Sequence, residues 1–299
     1  MRNQINNTRN VLSPQLCMIA PVIFIIIASL CMITLSPSIQ AAQNNTVQEH
    51  RPLRIAVAAN FTPTLEQLAP LFTQETGIKV QLISSSSGNL YQQIKHGAPF
   101  DVFMSADKER PQRLVKEKLA LPNKTASYAF GTLSFWSASW QQQQAKLIPT
   151  ASEILANLKD DNNANKFAIA NPKIAPYGKA AKEFLKHNHL WENIKPRLII
   201  GININQTFQQ LYSQAVPLGI VATSQLTVNN LNGVLLPSKA YQAIEQQITV
   251  LARSQQFANA ERFFDFILGD ESQGIIQRHG YDSAKSLSQD AKQTVQEIN

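Results

Sequence analysis

Four segments of the sequence combine small, hydroxyl and amide residues and carry no charged side chain. They are AANFT at 58–62, SSSSGN at 84–89, IAPYG at 174–178 and NINQT at 203–207. Each joins a short apolar run to a helical pattern. A helix start carries unpaired backbone N–H groups and the positive end of the helix dipole. Four such starts meeting at one place would form a cage of neutral donors for an anion, without lysine or arginine.

Helix capping is the alternative interpretation of each segment taken alone. Serine and asparagine are good N-caps because their side-chain oxygen accepts a hydrogen bond from a backbone N–H. Four successive serines before Gly88 exceed what one cap requires. Tyr177 is ambiguous, since its backbone N–H could face a ligand or its ring could fill the cleft wall. Both interpretations stay open at this point.

Residues suited to catalysis or metal binding are scarce in this sequence. It has no G-x-S-x-G motif, which marks one class of serine hydrolases. His187 and His189 lie two positions apart, whereas a metal pair on one helix face needs a spacing of four. Asp101 and Asp107 flank a predicted strand, where a cap or turn is favoured over acid–base chemistry. We therefore predict a protein that is not an enzyme, with no cofactor and no site for a free metal cation.

The N-terminus has the pattern of a secretory signal peptide: two arginines, a long apolar run and then small residues. We expect cleavage near Ala41 or Ala42, which makes 1–41 the signal peptide and polar residues 42–51 a linker. An uncleaved anchor is the alternative, because an apolar run of about 19 residues can span a membrane. Cys17 and Cys31 both lie in this leader. Export without a disulfide is typical of a soluble bacterial periplasmic protein.

Charge and size narrow the class of protein further. The leader holds two of the 27 basic residues and none of the 20 acidic ones, which leaves a net charge of +5 on the rest. These charges are spread thinly, so nucleic acid is not indicated as a partner. With 299 residues and 44% hydrophobic composition, the chain can fill one large domain or two smaller ones.

Short apolar runs alternate with helical patterns from Leu53 onward, which predicts an α/β protein with mainly parallel sheets. Two such series predict two lobes, with 52–130 and 224–299 in lobe I and 131–223 in lobe II. Because ligands bind at the carboxyl ends of strands in open parallel sheets, this architecture brings the four segments to the cleft. Strands are predicted at 53–59, 78–84, 100–106, 131–138, 166–171, 197–202 and 218–223, and helices at 63–76, 89–97, 178–188, 206–215, 259–269 and 272–280.

Several of these stretches resemble the periplasmic molybdate-binding proteins of ABC transporters. The resemblance covers essentially all of 53–282 and rests on AANFTPTLEQLAPLFTQETG, SSSSGNLYQQIKHGAPFDVFMSAD, FAIANPKIAPYGKAAKEFL and LGIVATSQL. It implies a type II periplasmic binding fold whose two lobes close over one tetrahedral oxyanion. It also implies an ABC permease in the inner membrane as the partner.

The same resemblance implies that backbone amides and hydroxyl or amide side chains bind the anion. Carried onto this chain, the contacts fall on Ala59, Asn60, Ser87, Tyr177 and Asn205. Some family members have a tyrosine where this chain has Ala222, so a phenolic contact is absent there. Others have serine at the position of Asn60, which makes the backbone contacts firmer expectations than the side-chain ones.

A cage of donors suits molybdate and tungstate, which are tetrahedral dianions without a proton at neutral pH. Phosphate usually retains a proton, and leaving that proton unpaired costs about 1–3 kcal/mol. Sulfate passes the same test and must be rejected by size. We therefore expect a monomeric extracytoplasmic receptor for molybdate or tungstate. The alternatives are a receptor for another oxyanion such as sulfate, or an extracytoplasmic enzyme with an interlobe cleft.

Overall fold

Two five-stranded sheets covered by helices make up residues 51–142, 148–160 and 165–282, the part of the chain that this computed structural model describes. The predicted signal peptide, and all of the predicted linker except Arg51, lie outside these residues. Sheet A contains β1 (Leu53–Ala58), β2 (Val80–Ser85), β3 (Val102–Ser105), β4 (Ala120–Gly131) and β10 (Ile244–Leu251). Sheet B contains β5 (Leu133–Trp136), β6 (Phe167–Ala170), β7 (Leu198–Gly201), β8 (Leu218–Ala222) and β9 (Val234–Leu235).

The helices alternate with these strands along the chain. They are α1 (Thr62–Thr76), α2 (Ser87–Lys95), α3 (Glu109–Lys116), α4 (Ser139–Gln142), α5 (Ala151–Lys159), α6 (Pro176–His187), α7 (Trp191–Ile194), α8 (Ile204–Tyr212), α9 (Thr223–Val228), α10 (Phe257–Leu268) and α11 (Asp270–Arg278). Short 3-10 turns occupy Ala59–Phe61, Lys195–Arg197 and Ser238–Ala240. None of the helices among the described residues is long and apolar enough to cross a membrane.

The two sheets share one topology. Their strand orders are β2-β1-β3-β10-β4 and β7-β6-β8-β5-β9. In each sheet the fourth strand in this order pairs antiparallel with both neighbours, and the remaining strands run the same way. The prediction of mainly parallel sheets is therefore confirmed. The four segments singled out in the sequence begin at or within four residues of the carboxyl ends of β1, β2, β6 and β7, and Ala106 follows the end of β3.

The chain passes between the sheets twice. It leaves sheet A after Gly131 and enters sheet B at Leu133, and it returns between Leu235 and Ile244. Val234–Leu235, which was predicted to lie in lobe I, pairs instead with β5 in sheet B. The reason is that the chain, after α9, adds one short edge strand to sheet B before it crosses back. The exact limits of the two lobes otherwise remain a prediction.

The start of α1 also differs from the sequence expectation. The helix begins at Thr62, one residue before the predicted start at 63, and the 3-10 turn Ala59–Phe61 comes before it. It ends after Thr76 as predicted, where Gly77 has a φ of 73° that favours glycine. The buried face of α1 includes Leu65, Leu68 and Phe72, which fix the helix against the core under sheet A.

Candidate functional site

Residues from the four predicted segments line one small cavity between the two sheets. The space open to the centre of a water molecule is about 10 Å³, close to what a single water occupies. Its walls are neutral and come from the ends of strands in both sheets. They comprise Ala58, Ala59, Asn60, Ser86, Ser87, Ala106, Ala175, Pro176, Tyr177, Asn203 and Ile204.

Two of the four helix starts have no side-chain cap. Ala58 precedes the 3-10 turn and Ala175 precedes α6, and neither side chain can accept a hydrogen bond from the backbone. Pro176 has no N–H, so the first N–H of α6 belongs to Tyr177. Because the first N–H groups of a helix lack partners within it, these starts direct unpaired donors at the cavity. Capping alone therefore does not account for these two segments.

The starts of α2 and α8 do have side-chain caps, and in each case the capping residue lies near the predicted ligand contact in the sequence. Ser86 caps α2, its Oγ accepting from the Asn89 N–H at 3.3 Å. Asn203 caps α8, its Oδ1 accepting from the Gln206 N–H at 2.9 Å. The capping interpretation is thus correct for Ser86 and Asn203. It leaves Ser87 without a capping role.

Ser87 is buried in the wall of the cavity. Its Oγ accepts a 2.9 Å hydrogen bond from the backbone N–H of Ala106, at the end of β3. Since that bond uses the oxygen as an acceptor, the hydroxyl proton remains available to a ligand. The Ala106 N–H also fixes the position of the hydroxyl. Ser87 therefore remains a candidate side-chain donor to an anion, with its hydroxyl oxygen held in place by the backbone.

The side chain of Asn60 is engaged elsewhere. Its Nδ2 donates to Gln246 Oε1 at 2.8 Å and to Tyr281 Oη at 3.3 Å. Tyr281 Oη in turn donates to the Asn60 carbonyl oxygen at 2.8 Å. The Asn60 side chain is therefore not free to bind an anion, and a contact through the Asn60 backbone N–H stays a prediction. Sequence reasoning missed Gln246, because it lies 186 positions away along the chain.

Tyr177 lines the cavity, and its phenol forms hydrogen bonds with residues of the sheet A half. The side chain is buried, and its Oη accepts from Gln246 Nε2 at 3.3 Å and from Asn60 Nδ2 at 3.5 Å. Burial raises the pKa of Tyr177 well above its usual value of 10.0, so the phenol stays neutral. Of the two roles left open for Tyr177, the structure shows the buried ring, and the backbone contact with a ligand stays a prediction.

Asn205 lies one residue beyond the cavity wall. The wall of this segment is formed by Asn203 and Ile204, while Asn205 Oδ1 accepts a 2.8 Å hydrogen bond from Gln225 Nε2. The buried Gln225 also donates to the Ile204 carbonyl oxygen at 3.3 Å and accepts from the Ala222 N–H at 3.2 Å. Gln225 therefore fixes the first turn of α8 and orients the Asn205 amide.

Of the described residues that line the cavity, Tyr177 alone has a titratable side chain. Asp107, which follows Ala106, accepts from the Arg110 N–H and forms an ion pair with its guanidinium, which fits the predicted cap or turn role. Asp101 is buried and accepts from Arg51, the Arg54 N–H and Ser254, which confirms a structural role. Among the described residues, no group of three or more His, Cys, Asp or Glu could hold a metal ion.

A larger groove of about 610 Å³ lies along α1, α10 and α11. Its wall contains Glu75, Asp265, Asp270 and Glu271 against the single cation Arg262. Carboxylates at this density repel an anion. The small neutral cavity, and not this groove, is therefore the candidate anion site.

Comparison with known proteins agrees with this architecture. The molybdate-binding protein ModA of Rhodobacter capsulatus is 37% identical over 228 residues, which cover 76% of this chain and 86% of that protein. The corresponding protein of Azotobacter vinelandii is 33% identical over 233 residues, 77% of this chain and 89% of its own length.

The solved structure of the Azotobacter vinelandii periplasmic molybdate-binding protein superposes with a TM-score of 0.71 at 35% identity. The match covers 77% of this chain and 98% of that one. The family model described as bacterial extracellular solute-binding protein matches residues 53–282. This chain therefore belongs to the bacterial extracellular solute-binding protein family, together with these molybdate-binding proteins.

Proposed function

We propose that this protein is an extracytoplasmic receptor that binds molybdate or tungstate in the cavity between its two sheets and delivers it to an ABC permease. The observation that carries the proposal is the convergence of four helix starts from both sheets on one cavity without a charged wall residue. Such a site offers hydrogen-bond donors and helix dipoles, which suits an unprotonated anion.

The proposed contacts follow from the free donors around the cavity. They are the backbone N–H groups of Ala59, Asn60, Tyr177 and the first turn of α8 near Asn205, with the hydroxyl of Ser87. None of these groups ionises at neutral pH, so none can change its charge when the anion arrives. A tetrahedral dianion can accept from donors on both sheets at once, which makes it the bridge between the two halves of the site.

The setting of this receptor is part of the proposal. The relatives include a periplasmic molybdate-binding protein, and we propose that this chain also acts in the periplasm after removal of the signal peptide 1–41. We further propose that it acts as a monomer, performs no chemistry, needs no cofactor and does not bind nucleic acid. Tungstate is included because its charge and shape match those of molybdate.

Titration calorimetry tests the proposal directly. Protein lacking residues 1–41 is titrated with molybdate, tungstate, sulfate and phosphate; this form keeps every residue that lines the cavity. We expect molybdate and tungstate to bind one per chain, with sulfate and phosphate much weaker. Binding of sulfate alone would make this a receptor for a different oxyanion. Absence of binding by all four would contradict the receptor proposal.

A further inference from the structure

The phenol of Tyr177 connects the two halves of the protein behind the cavity. Tyr177 belongs to α6, which packs on sheet B, and its ring lies in the core cluster of that half. Its Oη accepts from Gln246 Nε2, which belongs to β10 of sheet A. The same residue lines the anion cavity, where its backbone N–H is a proposed ligand contact. One residue therefore joins an interlobe contact to a proposed ligand contact.

Gln246 is held for this contact by partners on its own sheet. It is fully buried, and its Oε1 accepts from Asn60 Nδ2 at 2.8 Å and from Tyr128 Oη at 3.1 Å. A register shift in the pairing of β10 with β4 falls at Gln246 and Gln247. Such bulges redirect a side chain and are common beside functional sites. With its oxygen occupied, Gln246 can direct only its Nε2 at the phenol.

The space for the phenol is created by Gly131, at the point where the chain leaves sheet A for sheet B. A Cβ at this position would collide with the Tyr177 Oη and lie 3.2 Å from Gln246 Nε2. The tyrosine therefore packs against the connection between the sheets, where a hinge motion would act. Any separation of the sheets must withdraw the phenol from Gln246.

We propose that Tyr177 and Gln246 form an interlobe lock that sets oxyanion affinity without touching the oxyanion through either side chain. This inference rests on the proposed function. When the sheets are together, Gln246 Nε2 is buried and depends on the phenol for its hydrogen bond. When they separate, water can replace the phenol. Loss of the phenol oxygen therefore destabilises only the closed arrangement. Ligand affinity falls by the same factor as the population of the closed, binding-competent arrangement.

The test is a double-mutant cycle. The full chain is expressed and then purified after any processing by the host cell. Calorimetry with molybdate and with tungstate is carried out on wild type, Tyr177→Phe, Gln246→Met and the double variant. We expect Tyr177→Phe to weaken both anions by the same factor, about tenfold, the usual effect of leaving a buried donor unpaired. In the Gln246→Met background the same change should cost about twofold or less, because the donor is gone.

Tyr91→Phe is the matched control. Tyr91 is also buried, and its Oη donates to Glu117 at 2.8 Å, but both residues belong to the sheet A half. It should lose stability and keep wild-type affinity. Melting temperatures of the ligand-free proteins separate general destabilisation from an effect on binding.

Three outcomes would overturn the inference. Unchanged affinity in Tyr177→Phe, with or without a lower melting temperature, means that the phenol is only a core contact. An equal loss in both Gln246 backgrounds, or a different factor for each anion, means that the phenol contacts the ligand directly. If the wild-type protein binds neither anion, the proposed function itself is wrong. That result is distinct from the outcomes for the variants, which concern the interlobe lock alone.

Discussion

The backbone N–H of Gly88, in the first turn of α2, donates a 2.8 Å hydrogen bond to the carbonyl oxygen of Ile174, in the loop before α6. Gly88 belongs to the sheet A half and Ile174 to the sheet B half. Their bond therefore joins the two halves beside the cavity. A side chain at Gly88 would block it, because a Cβ would lie 2.8 Å from the same carbonyl oxygen and 2.9 Å from Ile174 Cα.

Gly88→Ala should weaken molybdate binding at least about tenfold, since even about 1.4 kcal/mol against closure has that effect. Small-angle scattering at saturating molybdate should also show a less compact bound form than wild type. Gly274→Ala in α11 is the control, because its Cβ would meet only Arg278 Nη1 at 3.5 Å. Wild-type affinity and compaction in Gly88→Ala would show that closure does not need this contact.

Ser87→Ala should weaken binding about 10- to 150-fold, the range expected for a hydrogen bond of about 1.5–3 kcal/mol to a charged oxygen. Calorimetry measures this loss, and thermal melting checks that the fold is intact. Thr150→Ala, which removes the capping box of α5, should lower the free energy of unfolding by about 1 kcal/mol and leave affinity unchanged. If Ser87→Ala melts earlier yet binds normally, the hydroxyl serves only the Ala106 N–H.

Molybdate affinity should be nearly constant between about pH 6 and 8 and weakly dependent on salt, because neutral dipoles in an enclosed site are poorly screened. Burial raises the pKa of Tyr177 well above 10.0 and that of Tyr281 to about 12. Raised values keep both phenols protonated throughout this range, so neither changes charge. Calorimetry at several pH values and salt concentrations checks this. A steep loss across the range would reveal an ionisable contact.

Gln225→Glu should introduce a pH dependence that the wild-type protein lacks. The Nε2 of Gln225 donates to Asn205 Oδ1 and to the Ile204 carbonyl oxygen, and an ionised carboxylate cannot. We expect about tenfold weaker binding or more at pH 8, where a new negative charge also faces the anion, with partial recovery at pH 5. Gln225→Met, which has no charge, should show a smaller loss that is independent of pH. Unchanged affinity in Gln225→Glu would show that the first turn of α8 does not contribute to anion binding.

The sequence was sufficient for the class of fold and for the composition of the cavity wall. The four segments follow predicted strands, so their position at the carboxyl ends of the sheets follows from topology alone. The sequence was insufficient for β4, whose polar, half-exposed residues pair mainly with β10 on one side of sheet A. Edge strands of this kind lack the continuous apolar pattern on which the other predictions relied.

Side-chain roles depended on contacts between distant residues. Asn60 follows a strand and resembles a ligand side chain, yet its amide is occupied by Gln246 of a strand much later in the chain. Ser86 and Ser87 are adjacent and chemically identical, and only the geometry shows that Ser86 caps its own helix while Ser87 accepts from the Ala106 N–H of another segment. The sequence therefore predicted which segments line the cavity, while the structure was needed to show which of their side chains are already engaged.

The most direct test of the central claim is a crystal structure of the protein grown with tungstate, with the tungsten located by its anomalous scattering. We expect one strong peak per chain, in the cavity between the two sheets. The oxygens of the bound tungstate should lie within hydrogen-bonding distance of the Ser87 hydroxyl and the Tyr177 backbone N–H. Lysine, arginine and carboxylate side chains should be absent from its contacts. A single peak elsewhere on the chain, or a peak in the cavity held by a charged side chain, would contradict the neutral donor cage.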